Sequence, residues 1–519
     1  MALRRRPPSK PAEPSNAWVG KESVAYQRMA EHWKLPDALL GGTRAMQEAG
    51  EVYLPREEGE ERKAYQVRLQ RSTLHGFYRG TLDQLAARPF GEPVTIRLGR
   101  DASQLPELLA PIEADADYSG SSLTQFGRRL LVDGLHRGLV HVLVEMPGDL
   151  RGLSVKAERQ KGLHPYFCHV SARDLIGWTS RKDKSRSNRE ELTQIRIRET
   201  HAIEVDGVER DVEHVRVWNA PVEALAAVAG RPAVEGQLGT WQLWRRVGDG
   251  EDYALVDDGV HTFAGIPLVT VYFNRTAFME AEPCLADLAE LEKAHWQSAS
   301  DQSNILRYAR VPKFAIEGLN EEARGRPTTM GVGQVLKLPP GAKAYWVEPQ
   351  GNAIAAGRQH LLDLQAEMHS KALQPLMERT GSETATGQEI ADKKSTSNLK
   401  AWVRSLEAGL LVGLRHAASV VSAKLPEKLA IDIFSDWAPP SLAFEEVRLL
   451  KEIRAMGDLS RQTFVSMLKG RLLPEDLDVA KELSAIADEG ESLASFGMPP
   501  DDEGGSPDGD KERPPREAA

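Results

Sequence analysis

The sequence predicts an α+β protein, mainly helical, on three observations. Leu399, Val403, Leu406, Leu410, Leu414, Ala417 and Val421 advance in steps of four and three, which draws one continuous apolar stripe along a helix. Between residues 139 and 273 lies a series of short runs rich in β-branched residues, several alternating with period two. After Asn274 the pattern turns abruptly from strand to helix.

The segment from Val24 to Ala87 reads as helices broken at Gly41-Gly42 and at Tyr53-Leu54-Pro55. Leu123–His136 is helical in pattern, with Phe126, Leu130 and Leu131 on one face. Gly138 then leads into LVHVLVEM, a buried strand closed by Pro147-Gly148. Further strands are expected at HPYFCHV, LIGWTS, LTQIRIRET, AIEVDG, HVRVWNA, TWQLWRRV and PLVTVYF. The alternation in Gln194-Ile195-Arg196-Ile197-Arg198 is that of a half-exposed antiparallel sheet. Pro283–Arg307 is a helix with Leu285, Leu288 and Leu291 on one side; the nearby acids Glu280, Glu282, Asp287 and Glu290 suit the positive end of its dipole. Short strands (KFAIEG, QVLKL, AYWVE) follow around a Gly/Pro-rich loop, and Asn352–Met377 is helical again. The apolar stripe predicts a helix from Gln388 to Val421, about 50 Å long at 1.5 Å per residue, ended by Pro426. A last helical region, Ser441–Glu489, breaks near Gly457 and Pro474.

Composition bounds the function. No apolar window reaches the roughly 18 residues that a membrane span needs. The basic start MALRRRPPSKPAEPSNAW has no apolar segment behind it, so no secretory signal is expected. Two cysteines, Cys168 and Cys284, build neither a disulfide framework nor a four-thiolate zinc site, and a reducing cytosol is the default compartment. The net charge of −10 disfavours a tight, sequence-reading DNA binder but not a protein past which DNA slides. Residues 1–20 and 496–519 read as solvated tails.

Motifs for catalysis are absent. There is no Walker A pattern, HExxH, GxSxG or pair of CxxC motifs, and Gly331-Val332-Gly333 reads as a plain turn. His360 and His369 are nine apart, the wrong spacing for a shared metal. The acid pairs Glu57-Glu58, Glu60-Glu61 and Asp115/Asp117 read as solvated faces. The acids opening Pro283–Arg307 either complement a helix dipole or line a channel for a polyanion. The basic cluster Arg181–Arg186 has no interleaved ring and reads as a hairpin loop. No enzyme activity, cofactor or metal is expected.

Four stretches, in order, resemble the portal proteins of tailed bacteriophages, and are closest to an uncharacterised branch of portal-like proteins. They are YLPREEGEERKAYQVRLQRSTLHGFYRGTLDQLAARPF (Tyr53–Phe90), DYSGSSLTQFGRRLLVDGLHRGLVHVLVEMP (Asp117–Pro147), HTFAGIPLVTVYFN (His261–Asn274) running into Pro283–Arg307, and AMGDLSRQTFVSMLKGRLLPEDLDVAKELSAIADE (Ala455–Glu489). The resemblance implies a portal fold: wing (21–282 with a long helix, 389–425), stem helices (283–307 and 352–377), clip (308–351), tunnel loop (378–388) and crown (426–495).

It also implies a closed homo-oligomeric ring of about twelve subunits at one capsid vertex, through which double-stranded DNA is packaged and ejected. The partners implied are the terminase large subunit, then a head–tail adaptor, with the major capsid and scaffolding proteins around the ring. The location implied is the virion, after assembly in the host cytoplasm. A related reading is another structural protein of the head–tail connector. The clip residues implied to meet motor and adaptor are Asn320, Glu321, Glu322, Arg324 and Arg326. Leu399, Val403, Leu406, Leu410 and Leu414 are implied to pack subunits together. The tunnel loop is Thr380, Gly381, Ser382, Glu383, Thr384, Ala385, Thr386, Gly387 and Gln388. It departs from many portals, which carry a hydrophobic or basic residue there; the only charge here is Glu383, which suits a passive collar. A ring of about twelve copies would carry roughly −120 formal charges, so DNA inside would be centred rather than gripped.

Overall fold

Ser23 starts the first long element because its backbone is extended (ψ 153°) and its hydroxyl accepts the Tyr26 amide proton, which caps helix α1 (Val24–Ala49). A 3-10 turn, Asn16–Gly20, precedes it. The computed structural model describes residues 16–99, 104–147, 163–183, 189–205, 207–221, 238–248, 250–310, 313–318, 338, 340–347, 351–376, 397–435, 462–463 and 479–481. Contacts divide the chain into two units, Met1–Trp437 and Ala438–Ala519; in the second, the described residues are two helical pieces, 462–463 and 479–481.

The break expected at Gly41-Gly42 is a kink inside α1, where Gly42 leaves helical angles (φ 77°, ψ −161°). Helices α2 (Arg62–Arg71) and α3 (Phe77–Ala87) follow. The loop between α1 and α2 is fixed by the buried Arg68 guanidinium, which donates to both Glu60 carboxylate oxygens (3.0 and 2.9 Å) and to the Pro55 carbonyl (2.8 Å). After β1 (Thr95–Arg97) comes α4 (Leu123–Arg137), started by a reciprocal capping box between Ser122 and Gln125. Gly138 ends it in the left-handed region (φ 87°), where a side chain would also strike the Glu282 backbone.

Two antiparallel sheets form next. The first has the order β3-β2-β9, from β2 (Leu139–Glu145), β3 (Tyr166–Ser171) and β9 (Leu268–Tyr272). Its central strand β2 is buried on both faces, hence a run that is apolar except for His141. The second is a meander of β4 (Leu175–Asp183), β5 (Arg189–Val205), β6 (Val208–Asn219), β7 (Gly239–Arg246) and β8 (Tyr253–His261). The runs LTQIRIRET and AIEVDG, expected as two strands, are one: β5 continues through His201, which pairs with Val212. Strand β8 escaped the sequence reading because Asp257-Asp258-Gly259 breaks its apolar alternation. Of the basic cluster expected in a hairpin loop, Arg181–Asp183 instead continue β4; residues 184–186 lie outside the described residues.

A small hairpin, β10 (Arg275–Ala277) with β11 (Glu280–Ala281), leads to helix α5 (Ala286–Ala309). Strands β12 (Lys313–Glu317) and β13 (Lys343–Val347) pair antiparallel, and α6 (Gly351–Leu373) follows with a terminal 3-10 turn, Gln374–Leu376. Helix α7 (Asn398–Val420) and β14 (Ala430–Asp432) complete the first unit, with β14 paired to β1. The protein is therefore mixed α/β.

The length expected of α7 needs correction. It starts at Asn398, because Ser397 is extended (ψ 153°) and its hydroxyl accepts the Lys400 amide proton; residues 388–396, also expected in this helix, lie outside the described residues. It stops at Val420, before Pro426, and Ser422 turns the chain with φ 51°. Its 23 residues span about 34 Å.

The stripe role also needs correction. Leu399, Val403, Leu406, Leu410 and Leu414 are 0–1% exposed within this single chain, so they are not available to pack against a neighbouring subunit. They belong to the core that includes Val142, Phe167, Val269 and Val271 of the β3-β2-β9 sheet. Gly409 lets the helix approach closely, since any side chain there would collide with Val271. The Trp402 indole N–H donates to the Phe273 carbonyl (2.9 Å) and fixes the helix's rotation. Replacing Leu410 with Ala should cost about 2–5 kcal/mol through lost burial and a residual cavity. Urea unfolding is expected to show a lowered midpoint with an unchanged slope.

Candidate functional site

Helices α5 and α6 with the β12–β13 hairpin between them form the part of the described chain that carries the expected stem and base of the clip. The N-terminal half of α5 is deeply buried: Leu288, Ala289, Glu292, His295 and Trp296 are all in the interior. Glu292 is 0% exposed and makes an unusual cap. Helix α3 begins after Gly76, in the left-handed region with no side-chain cap of its own. The Glu292 carboxylate fills that place, accepting the Phe77 amide proton on Oε1 (2.7 Å) and the Tyr78 amide proton on Oε2 (2.6 Å). Burial pushes this carboxyl above the usual range, while the backbone donors at Tyr78, Phe77 and Gly76 pull the other way.

Around the cap, the His75 and His295 rings meet edge to face (4.9 Å) and His369 of α6 stands edge-on to Phe77 (4.7 Å). Burial lowers the His295 pKa. Farther along α5, Gln302 donates to the Ile354 carbonyl of α6 (2.9 Å), and Gly357 leaves room for its amide. Helix α6 itself is mostly exposed: Leu364 and Met368 are buried, whereas Leu362 and Leu373 face outward. On the hairpin, Trp346 is 55% and Tyr345 49% exposed, and the Phe314 and Trp346 rings meet edge to face across the strands.

A second polar constellation lies deeper. The Tyr78 hydroxyl meets His136 Nδ1 (3.0 Å), and His136 Nε2 meets Asp37 Oδ1 (2.8 Å). Arg137 joins Asp37 (3.0 Å) to Asp133 (3.1 Å), and Asp133 also receives His169 Nε2 (3.1 Å) and the Ser171 hydroxyl (3.2 Å). Burial works to raise both aspartates, but hydrogen bonds and nearby charge win: His136 and Arg137 hold Asp37 below the usual carboxylate range, and His169, Arg137 and Ser171 do the same for Asp133. The order Tyr–His–Asp resembles a nucleophile relay, yet Tyr78 is fully buried and burial pushes its pKa far up. The network joins α1, α3, α4 and β3 and is mostly buried, with Asp37 and His169 partly exposed. His141 is similarly enclosed, drawn down to about 3 by burial and hydrogen-bonded to Thr270 (2.9 Å).

The expected site residues divide by region. Asn320, Glu321, Glu322, Arg324, Arg326 and all of Thr380–Gln388 lie outside the described residues, as do Gly331 and Gly333. The acids near the start of α5 do not form one free array: Glu280 pairs with Arg28 (2.9 Å), Asp287 with Lys371 (3.1 Å) and Glu290 with Lys293. Asp115 and Asp117 order their own loop by accepting amide protons from Gly120, and from Ser119 and Ser121. Among the described residues no cluster of three or more His, Cys, Asp or Glu is arranged to hold a metal, and no helix is long and apolar enough to cross a membrane. The sequence reading missed Glu292 and the Tyr78 network, whose partners are 215 and 58 residues apart in sequence. The one local hint was a helix start after Gly76 with no capping side chain.

Residues 284–420, from just before α5 to the end of α7, match the family described as Domain of unknown function (DUF4055). No curated protein matches. Among solved structures the chain is similar to one from the neck of an empty gene transfer agent particle computed with C6 symmetry (12% identity, 81% of this chain and 96% of that one, TM-score 0.38). It is also similar to a chain of the native gene transfer agent virion (12%, 84% and 99%, TM-score 0.37). A third is from the native particle's neck computed with C12 symmetry (13%, 83% and 99%, TM-score 0.36).

Glu292→Ala should leave the Phe77 and Tyr78 amides buried without an acceptor and cost about 3 kcal/mol. Hydrogen exchange is expected to quicken first at the start of α3. Unchanged exchange there would show that α3 does not depend on the cap.

Proposed function

We propose that this chain is a structural component of the head–tail connector of a phage-like particle and, within that class, the portal protein. The observation that carries the reading is the order of elements joined to the four resembling stretches: a mixed α/β body, α5, a strand hairpin, α6, a Gly-flanked polar segment and α7. Residues 283–307 and 352–377 act as the stem, 308–351 as the clip that meets the terminase large subunit and later the adaptor, and 378–388 as the tunnel loop. The chain is not an enzyme; its work is to form a ring of about twelve subunits at a capsid vertex and to pass double-stranded DNA. Heterologous interfaces that close on themselves are what such a ring requires. Another connector protein is the neighbouring reading, and the oligomer distinguishes the two.

Native mass measurement and particle imaging of the purified chain should find closed rings of about twelve copies with a central channel. Monomers and dimers alone, in salt that permits assembly, would refute the portal assignment. Within such rings Glu383→Lys adds one attractive contact per subunit on the lumen, so DNA retention should become strongly salt-dependent while assembly is unaffected. Retention that ignores salt would remove residues 378–388 from the channel.

A further inference from the structure

Strands β5 and β6 outrun their sheet. Pairing with β4 ends at Ile197 and pairing with β7 ends at His214, yet β5 and β6 stay paired from Glu199–His214 out to Val205–Val208. The result is a two-stranded arm with no further strand paired to either edge among the described residues, a form that is marginally stable alone in water. Its two faces differ. Cross-strand partners Thr200–Glu213, Ala202–Asp211 and Glu204–Glu209 share one face, which places four carboxylates together, with Glu204 directly opposite Glu209. Like charges in that position repel. Glu213 is engaged by the Tyr253 hydroxyl and by Arg198 (3.7 Å). Glu204, Glu209 and Asp211 are exposed and make no ion pair among the described residues.

The chain's own N-terminal part approaches this face. Arg196 and Arg198 lie on the same side of β5 as Thr200, Ala202 and Glu204. Arg196 donates to the Trp18 and Val19 carbonyls, Trp18 stacks edge-on to Trp244, and the Asn16 amide donates to the Tyr253 carbonyl (3.3 Å). The turn Asn16–Gly20 thus lies along Tyr253, with Gly20 against its hydroxyl and Asn16 at its carbonyl, and that hydroxyl holds Glu213 at the base of the arm. Residues 1–15 carry Arg4, Arg5, Arg6 and Lys10 against Glu13 alone. From Asn16 back to Arg6 an extended chain reaches about 35 Å, and the arm's six residues beyond Glu199 need only about 20 Å.

We infer that the basic segment Arg4–Lys10 docks on the acidic face of the β5–β6 arm of its own chain and stabilises it. The inference does not rest on the portal reading, since it concerns one chain whether free or in a ring.

Hydrogen exchange of peptides covering 200–213 in the full-length protein tests it. R4E/R5E/R6E should accelerate exchange about tenfold there and leave β2 unchanged, and high salt should do the same to the wild type. Adding E204K/E209K/D211K to R4E/R5E/R6E should restore slow exchange, which a merely damaged fold would not do. Arm exchange unaffected by R4E/R5E/R6E, or a charge swap that restores nothing, would overturn the proposal. A short bis-maleimide joining Arg5→Cys to Glu209→Cys should give a product of single-chain mass on a denaturing gel. A ladder of linked chains would instead assign the arm to a neighbouring copy and overturn docking within one chain.

Discussion

Close approach of α7 to the β3-β2-β9 sheet is the constraint on which the first unit depends. At Gly409 a side chain would meet Val271, so helix and strand sit nearer than two branched side chains allow. That proximity is why the leucine stripe is covered by the sheet of its own chain. The Trp402 bond to the Phe273 carbonyl sets the helix's rotation, and the Glu407 carboxylate then accepts the Ile433 amide proton (2.8 Å). β14 is thereby directed onto β1, so residues hundreds of positions apart close one body. Non-local pairings of this kind carry a large loop-closure cost before they contribute stability.

Around that core the buried charges work as registers between elements. An ion pair taken out of water gains little net stability over an apolar replacement, but removing one partner leaves an expensive charge behind. Arg137 between Asp37 and Asp133 therefore does less to raise stability than to fix how α1, α4 and β3 sit. Glu292 does the same between α3 and α5. Its own shift has the opposite sign to those of the aspartates: a carboxyl raised on folding contributes stability below its unfolded pKa and loses it as the pH rises. Asp37 and Asp133, lowered on folding, contribute above their unfolded pKa and lose that contribution in acid. Acidification therefore loosens the α1–α4–β3 contacts, not the Glu292 position.

Periodicity made the elements legible where one face decided them. The stripe of α7, the Phe126, Leu130 and Leu131 face of α4 and the apolar run of β2 each had a local pattern that burial later followed. The start of α7 was misplaced because apolar spacing carries no information about where backbone angles change; Ser397, a good cap, was the available signal. Strand β8 was lost because two aspartates and a glycine on an edge strand look like a turn. The Glu292 cap and the Tyr78–His136–Asp37 line depend on side chains brought together only by the tertiary fold. No spacing rule reaches them.

What the stripe cannot do bears on assembly. With Leu399–Leu414 covered internally, any contact between copies has to use surface that remains outside, which includes Leu362 and Leu373 on α6 and Tyr345 and Trp346 on the β12–β13 hairpin. These lie on elements held from fewer sides than the rest. Helix α5 is locked at its N-terminal half by Glu292 and Trp296, but its exposure rises toward Ile305, and α6 leans on α5 through two buried side chains, the Gln302 and Gln365 hydrogen bonds and the Lys371–Asp287 pair. Anchorage is thus graded, firm at the body and weaker along the helix pair. A helix with so narrow a buried stripe is stabilised by whatever neighbour covers its other faces. The subunit contacts of a ring would then order the same elements that the single chain holds least.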